Sequence, residues 1–321
     1  MKPPTTLQTA IIYFADYDNC RTFLTDLRWP DGKVLCPQCG SDHVVYLEKA
    51  RVWKCYEKHP KAKFSLKTGT IFEDSPLGLD KWLVALWLIV NCKNGISSCE
   101  IARDLDITQK SAWFMAHRLR LALHHGSFGK LSGEVEVDET FIGGKARNMH
   151  RSKRERMSRN GGMQGGSGKA VVMGMLVRGG QVRATVIPDR KHNITEKIVR
   201  ELVEPGTEVH TDEFAGYYNL KDGYVHKVIN HLEGYVKENV HTNGIENFWS
   251  LLKRGLNGTY VSVEPFHLFR YVDEQAFRYN NRATKDNPLT DADRFQYALS
   301  QIVGKRLTFA EVTGKVGETA F

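Results

Sequence analysis

The longest uninterrupted apolar run in the 321 residues, Trp82 to Val90, covers nine positions, far short of the ~20 that a helix needs to span a bilayer. The N-terminal apolar stretch is broken by Asp16 and Asp18 and does not read as a signal peptide. Cysteine is scarce, and six of them scattered along the chain make no disulfide framework. Hydrophobic usage of 41% and charged usage of 26% exclude a mainly disordered or fibrous chain. There is no internal repeat. We therefore expect a soluble cytoplasmic protein of two domains, or three small ones.

What the sequence does have is positive charge, unevenly placed. Lys and Arg number 45 against 37 Asp and Glu, a net +8 with a pI near 9.1. Between Gly143 and Lys169 lie eight basic residues, among them Arg151, Lys153, Arg154 and Arg156, opposed only by Glu155. This Gly-rich stretch has too few hydrophobes to bury a core, so a basic loop is expected. A solvated loop is the plain interpretation; a nucleic-acid contact fits better, because basic segments bind phosphate through counterion release.

Cys36-Pro-Gln-Cys39-Gly40 has the form of a zinc knuckle, two thiolates on a tight turn, and fifteen residues later Cys55 and His59 offer a second ligand pair. His43 competes with His59 but lies only four residues after Cys39. Four protein ligands would make the site structural. Further on, Ser97 to Leu105 reads as a short helix with a Ser97–Glu100 capping box, and Thr108 caps a longer helix from Gln109 to Leu123. Helix, turn, helix is the arrangement of a DNA-binding helix-turn-helix, with Gln109, Lys110, Arg118 and Arg120 as candidate contacts.

Beyond Gly133 the period changes. Strands are expected at Glu134–Ile142, Ala170–Arg178, Val182–Ile187, Glu208–Asp212 and Tyr224–Ile229, and helices at Thr195–Val203, Phe214–Leu220 and Asn243–Leu256. That order describes a mixed sheet with helices on its faces. It would gather Asp138 in the first strand, Asp212 at the end of the fourth and Glu246 on the last helix. Carboxylates converging so suit a two-metal site for in-line phosphoryl displacement, with Mg²⁺ taking oxygen ligands.

Several long motifs carry a family resemblance: CPQCG, KFSLKTGTIFEDSPLGLDKW (63–82), VDETFIGGK (137–145), HTDEFAGYYNL (210–220), HTNGIENFWSLLKRG (241–255) and RYVDEQAFRYNNR (270–282). Through them nearly the whole chain resembles the DDE transposases of the ISXO-type bacterial insertion sequences, relatives of the Merlin elements. The resemblance implies an α/β protein: an RNase H-like mixed-sheet catalytic domain preceded by a small zinc ribbon and a helix-turn-helix. The implied boundaries are 1–75 for the N-terminal segment with the ribbon and 76–130 for the helix-turn-helix. The catalytic domain takes 131–287 with its basic loop at 143–169, and 288–321 is a tail.

It further implies that Asp138, Asp212 and Glu246 bind catalytic Mg²⁺ or Mn²⁺, that Lys253 contacts phosphate, and that Cys36, Cys39, Cys55 and His59 hold structural Zn²⁺. Asn243 competes with Glu246 for the third catalytic position, with a helix N-cap as its plain role. The implied partner is double-stranded DNA, both element ends and target, bound by a homodimer or larger assembly associated with the nucleoid, and no membrane. The competing expectation is a DNA-binding regulator with an inactive transposase-derived domain.

Overall fold

The computed structural model describes residues 2–124, 129–144, 150–152, 155, 168–212, 215–229, 241–285 and 287–315. Contacts divide the chain into one unit of residues 1–124 with 281–321 and another of residues 125–280.

In the first unit Thr6 caps α1 (Leu7–Phe14), and Asp16, accepting from the Asp18 amide at 2.8 Å, starts α2 (Tyr17–Arg28). An antiparallel sheet follows in the order β1 (Val44–Leu47), β2 (Val52–Cys55), β3 (Lys63–Phe64). Trp53 of β2 meets Trp29 and Phe64 with ring centroids 5.9 Å away in each case, a small aromatic core for a small module.

The next helix, α3 (Leu79–Asn91), is buried from Trp82 to Val90, which is why its sequence is apolar beyond one stripe. Ser97 opens α4 (Ser98–Asp104) through the expected capping box, with hydrogen bonds of 3.2 and 2.8 Å between Ser97 and Glu100. Asp106, in the left-handed region at φ 48°, turns the chain toward Thr108, the N-cap of α5 (Gln109–Leu123).

The second unit is built on five strands: β4 (Glu134–Ile142), β5 (Ala170–Val177), β6 (Val182–Ile187), β7 (Glu208–Asp212) and β8 (Val225–Ile229). Their order is β6-β5-β4-β7-β8; β4, β5 and β6 are antiparallel neighbours, and β7 and β8 run parallel to β4. Its longer helices among the described residues are α6 (His192–Leu202), α7 (Asn243–Arg254) and α8 (Leu268–Asn280). Where a helix was expected at Phe214–Leu220, residues Ala215–Lys221 form a 3₁₀ helix, the tighter coil typical of short connectors. The end of α7 continues as a π-helical segment, Gly255–Tyr260.

Strand alternation divides the core in two. Val135, Val137, Met173 and Val209 face Val199 of α6 and Tyr217, while Val172, Leu176 and Val182 face Ile245, Phe248, Trp249 and Leu252 of α7 and Val272 of α8. On β4, however, the α7 side carries Glu134, Glu136 and Asp138. The open edge at β6 is closed by Asn280, which accepts from the Val182 amide at 2.8 Å and donates to its carbonyl at 2.9 Å.

The chain then re-enters the first unit with α9 (Asp291–Ser300) and α10 (Phe309–Val312). Phe295 lies 5.7 Å from Phe14 and 5.0 Å from Trp87, and Lys305 Nζ donates to the carbonyls of Ala122 and His124 at 3.0 and 3.1 Å. No helix among the described residues is long and apolar enough to cross a membrane.

Candidate active site

Asp138 sits in mid-β4, and both of its oxygens are held. The Glu139 amide donates to Oδ1 at 2.8 Å and the Trp249 indole to Oδ2 at 2.9 Å. Neither donor is a cation. Burial pushes the carboxyl up to about 6, and the charges of Asp212 and Glu246 push the same way. Asp212 and Glu246 are therefore near enough for their charges to act on Asp138. The parallel register pairs Glu134 with Glu208 and Glu136 with His210, and Asp138 and Asp212 each lie two residues beyond that last pair. Glu246 lies in the first turn of α7, exposed, and accepts from Thr242 Oγ1 at 3.2 Å.

A second group of side chains sets the position of α7. Glu136, buried, accepts from the Ile245 amide at 2.9 Å, a carboxylate placed against the positive end of the helix. Gly244 permits this, because a Cβ there would come within 2.8 Å of the Glu136 carboxylate and 2.5 Å of Leu176. Arg178 binds Glu136 at 3.1 Å, Glu134 at 2.6 Å and the His241 carbonyl at 2.8 Å, tying the start of α7 to the sheet. His210 Nε2 donates to the Glu208 carboxylate at 2.7 Å; burial, and then Arg178, lower the His210 pKa.

Ligand atoms of Glu134, Glu208 and His210 lie within 4.8 Å of one another, but Arg178 and Lys227 already supply the positive charge there. Asp138, Asp212 and Glu246 form no cluster that tight. Their three carboxylates, one of them half-buried and with no ion pair to a cation among the described residues, nonetheless match the oxygen donors that a hard divalent ion takes.

Glu139, on the opposite face, pairs with Arg190 at 3.0 Å and accepts from Tyr217; burial pushes it up to about 7. Asn243 is the first residue of α7, its side chain exposed; the N-cap is Thr242. Lys253 is exposed in the last turn of the same helix. Glu136 and Arg178 were not singled out for this neighbourhood by the sequence, whereas Trp249 and Phe248 read from it most simply as core, with stacking on an extruded base as the alternative for one of them. The only signal for Glu136 was the alternation Glu134-Val-Glu-Val-Asp138, which puts three acids on one face.

In the first unit, ligand atoms of Cys36, Cys39, Cys55 and His59 lie within 4.8 Å of one another. Cys36 Sγ is 3.5 Å from His59 Nε2, and Cys39 Sγ is 3.7 Å from Cys55 Sγ. These match the ~3.8 Å edge of a tetrahedron with metal–sulfur bonds of about 2.3 Å. Gly40, at φ 74° with its amide on the Cys36 carbonyl at 2.8 Å, makes the knuckle turn. His43 instead faces Glu57 at 3.7 Å.

On α5, Gln109 and Lys110 are exposed, whereas Arg118 and Arg120 are buried. Arg118 donates to the Glu73 carbonyl and lies 5.2 Å from the Trp82 ring, so its guanidinium is used inside the unit. In the basic stretch Arg151 pairs with Glu155 at 2.7 Å; Lys153, Arg154 and Arg156 lie outside the described residues.

Residues 130–280 match the family model of the ISXO2-like transposase domain, and residues 16–57 that of the transposase zinc-ribbon domain, which ends two positions before His59. A protein in transposable element ISH50 of Halobacterium salinarum is 29% identical over 255 residues, 76% of this chain and 84% of that protein. A transposase-like protein of Haemophilus influenzae is 32% identical over 106 residues, 33% of this chain and 85% of that protein.

Proposed function

Since the chain belongs to the ISXO2-like transposase family, we propose that it binds the ends of an insertion sequence and catalyses metal-dependent cleavage and transfer of DNA strands. The observation that carries this reading is Asp138, a half-buried carboxyl held by two donors and raised to about 6 by desolvation and by the neighbouring charges of Asp212 and Glu246. Three antiparallel strands extended by two parallel ones, with helices on both faces, agree with an RNase H-like catalytic domain.

In this reading Asp138, Asp212 and Glu246 hold the divalent ions, Mg²⁺ or Mn²⁺. When bound, such ions activate a nucleophilic oxygen and stabilise the leaving oxygen of an in-line displacement. The protein's own contribution is rigid positioning: two donors orient Asp138, Thr242 orients Glu246, and the Glu136–Arg178 network fixes the helix that carries Glu246. Water would first break a phosphodiester at the element end and leave a 3′ hydroxyl. That hydroxyl would then displace an oxygen of the target strand, one bond forming as one breaks. Glu246 is preferred to Asn243 as third ligand because its charge already acts on Asp138. Lys253 would contact phosphate from the same helix.

Cys36, Cys39, Cys55 and His59 would hold structural Zn²⁺. The pair α4 and α5 would act as a helix-turn-helix, with Gln109 and Lys110 on its open first turn as contacts. Arg151, Lys153, Arg154 and Arg156 would add phosphate affinity. Joining two element ends calls for at least a homodimer on DNA.

The test is a strand-transfer assay with purified protein, Mg²⁺, a labelled duplex bearing the element end and a supercoiled target. Joined product should form, and Asp138→Ala should lower its rate by at least ~10³-fold, the scale of removing a principal electrostatic group from an active site. End binding without cleavage or joining in either metal would instead favour a DNA-binding regulator.

A further inference from the structure

We infer that Trp249 is a positioning residue for the Asp138 carboxylate, and that position 174 is glycine so that the indole can reach it. This rests on Asp138 being a metal ligand, as proposed above.

Trp249 follows Glu246 by three residues on α7 and is 4% exposed. Its indole donates to Asp138 Oδ2 at 2.9 Å, while the Glu139 amide holds Oδ1 at 2.8 Å. The carboxylate plane is thus set by two donors from two different elements, and the remaining lone pairs are left for a cation. Second-layer donors of this kind orient ligands and tune their affinity for metal. The same hydrogen bond connects the helix carrying Glu246 to the strand carrying Asp138, so one contact registers two of the three acids.

The backbone opposite confirms how closely the indole is fitted. Gly174 is the residue of β5 directly across from Asp138. A Cβ there would lie 2.6 Å from Cζ2 and Cη2 of Trp249 and 2.8 Å from Ile245 Cδ1. Gly174 is not among the glycines with positive φ, so close approach of the indole, not backbone conformation, is what requires it. Base stacking is not available to this ring: it is buried against Phe248, 5.1 Å away, and against the sheet.

The experiment compares full-length, zinc-loaded wild type with Trp249→Phe, Gly174→Ala and Asp138→Ala. Mn²⁺ binding is measured by calorimetry, strand transfer is measured against Mg²⁺ concentration, and the indole N–H signals are followed by NMR. Trp249→Phe keeps an aromatic ring, smaller than the indole, and removes the donor. It should weaken Mn²⁺ binding and raise the half-saturating Mg²⁺ by about 10- to 100-fold. Adding metal should recover more of the lost transfer than the modest fall in melting temperature from the smaller ring accounts for. Gly174→Ala should show the same defect with its indole donor intact but displaced. In the wild type the Trp249 indole resonance should move on adding Mg²⁺, which a purely structural indole would not do.

If Trp249→Phe binds Mn²⁺ like wild type while Asp138→Ala abolishes binding and transfer, the inference is overturned and the proposed function stands. If Asp138→Ala still transfers strands, the proposed function itself falls. Should the variants not fold, an indole resonance unmoved by Mg²⁺ in the wild type overturns the inference by itself.

Discussion

At the scale of single residues the balance is electrostatic. Asp138 has a folded pKa of about 6 against an ordinary 3.8, because burial disfavours its charge. A carboxyl shifted upward adds stability that is fully present below about pH 4 and lost as the pH rises through 6. The wild type without added Mg²⁺ should therefore carry a cost of the order of 3 kcal/mol at pH 8. Asp138→Asn removes this cost but leaves one of the two N–H donors facing an amide nitrogen, a loss of about 1 kcal/mol. Thermal melts should show Asp138→Asn more stable by roughly 2 kcal/mol at pH 8, with the advantage gone at pH 4. A variant equal to or weaker than wild type at pH 8 would contradict the burial argument. Arg118 teaches the opposite lesson at this scale: a basic residue on a helix read as an outward contact turns inward, where it donates to a backbone carbonyl and lies against the Trp82 face.

At the scale of elements the ribbon and α7 behave differently. β1, β2 and β3 share a core of little more than Tyr46, Trp53 and Phe64 with Trp29, too little to order the knuckle without another bond. Chelating zinc should therefore disorder this module, seen as a change in Trp fluorescence with release of one metal ion per chain. His59→Ala should weaken zinc binding by at least ~10-fold, whereas His43→Ala should not. Helix α7 needs no metal for its position, since Glu136, Arg178 and Gly244 hold its first turn through protein contacts alone.

At the scale of the whole chain the notable feature is the return of residues 281–321 to the unit where the chain began. Phe295, 1% exposed, packs with Phe14, Phe23 and Trp87, more than 200 positions earlier in the sequence. Phe295→Ala should cost about 3–5 kcal/mol and lower the melting of the N-terminal unit, while melting of the unit of residues 125–280 is unchanged. Calorimetry resolving two transitions would check this; equal shifts in both would speak against the division.

Much was legible before any coordinates. The change of period beyond Gly133 located β4, β6 and β7 to the residue, and cap chemistry at Ser97 and Thr108 located α4 and α5, because these signals are local. The Cys and His spacing identified the four groups that come together, and strand order made Asp138, Asp212 and Glu246 the acids to examine. The choice between an inward and an outward arginine, the hydrogen bond from Trp249 to Asp138 and the return of Phe295 were decided only by tertiary structure. Each depends on partners between 45 and 281 residues away, and no local pattern encodes which buried group will meet them.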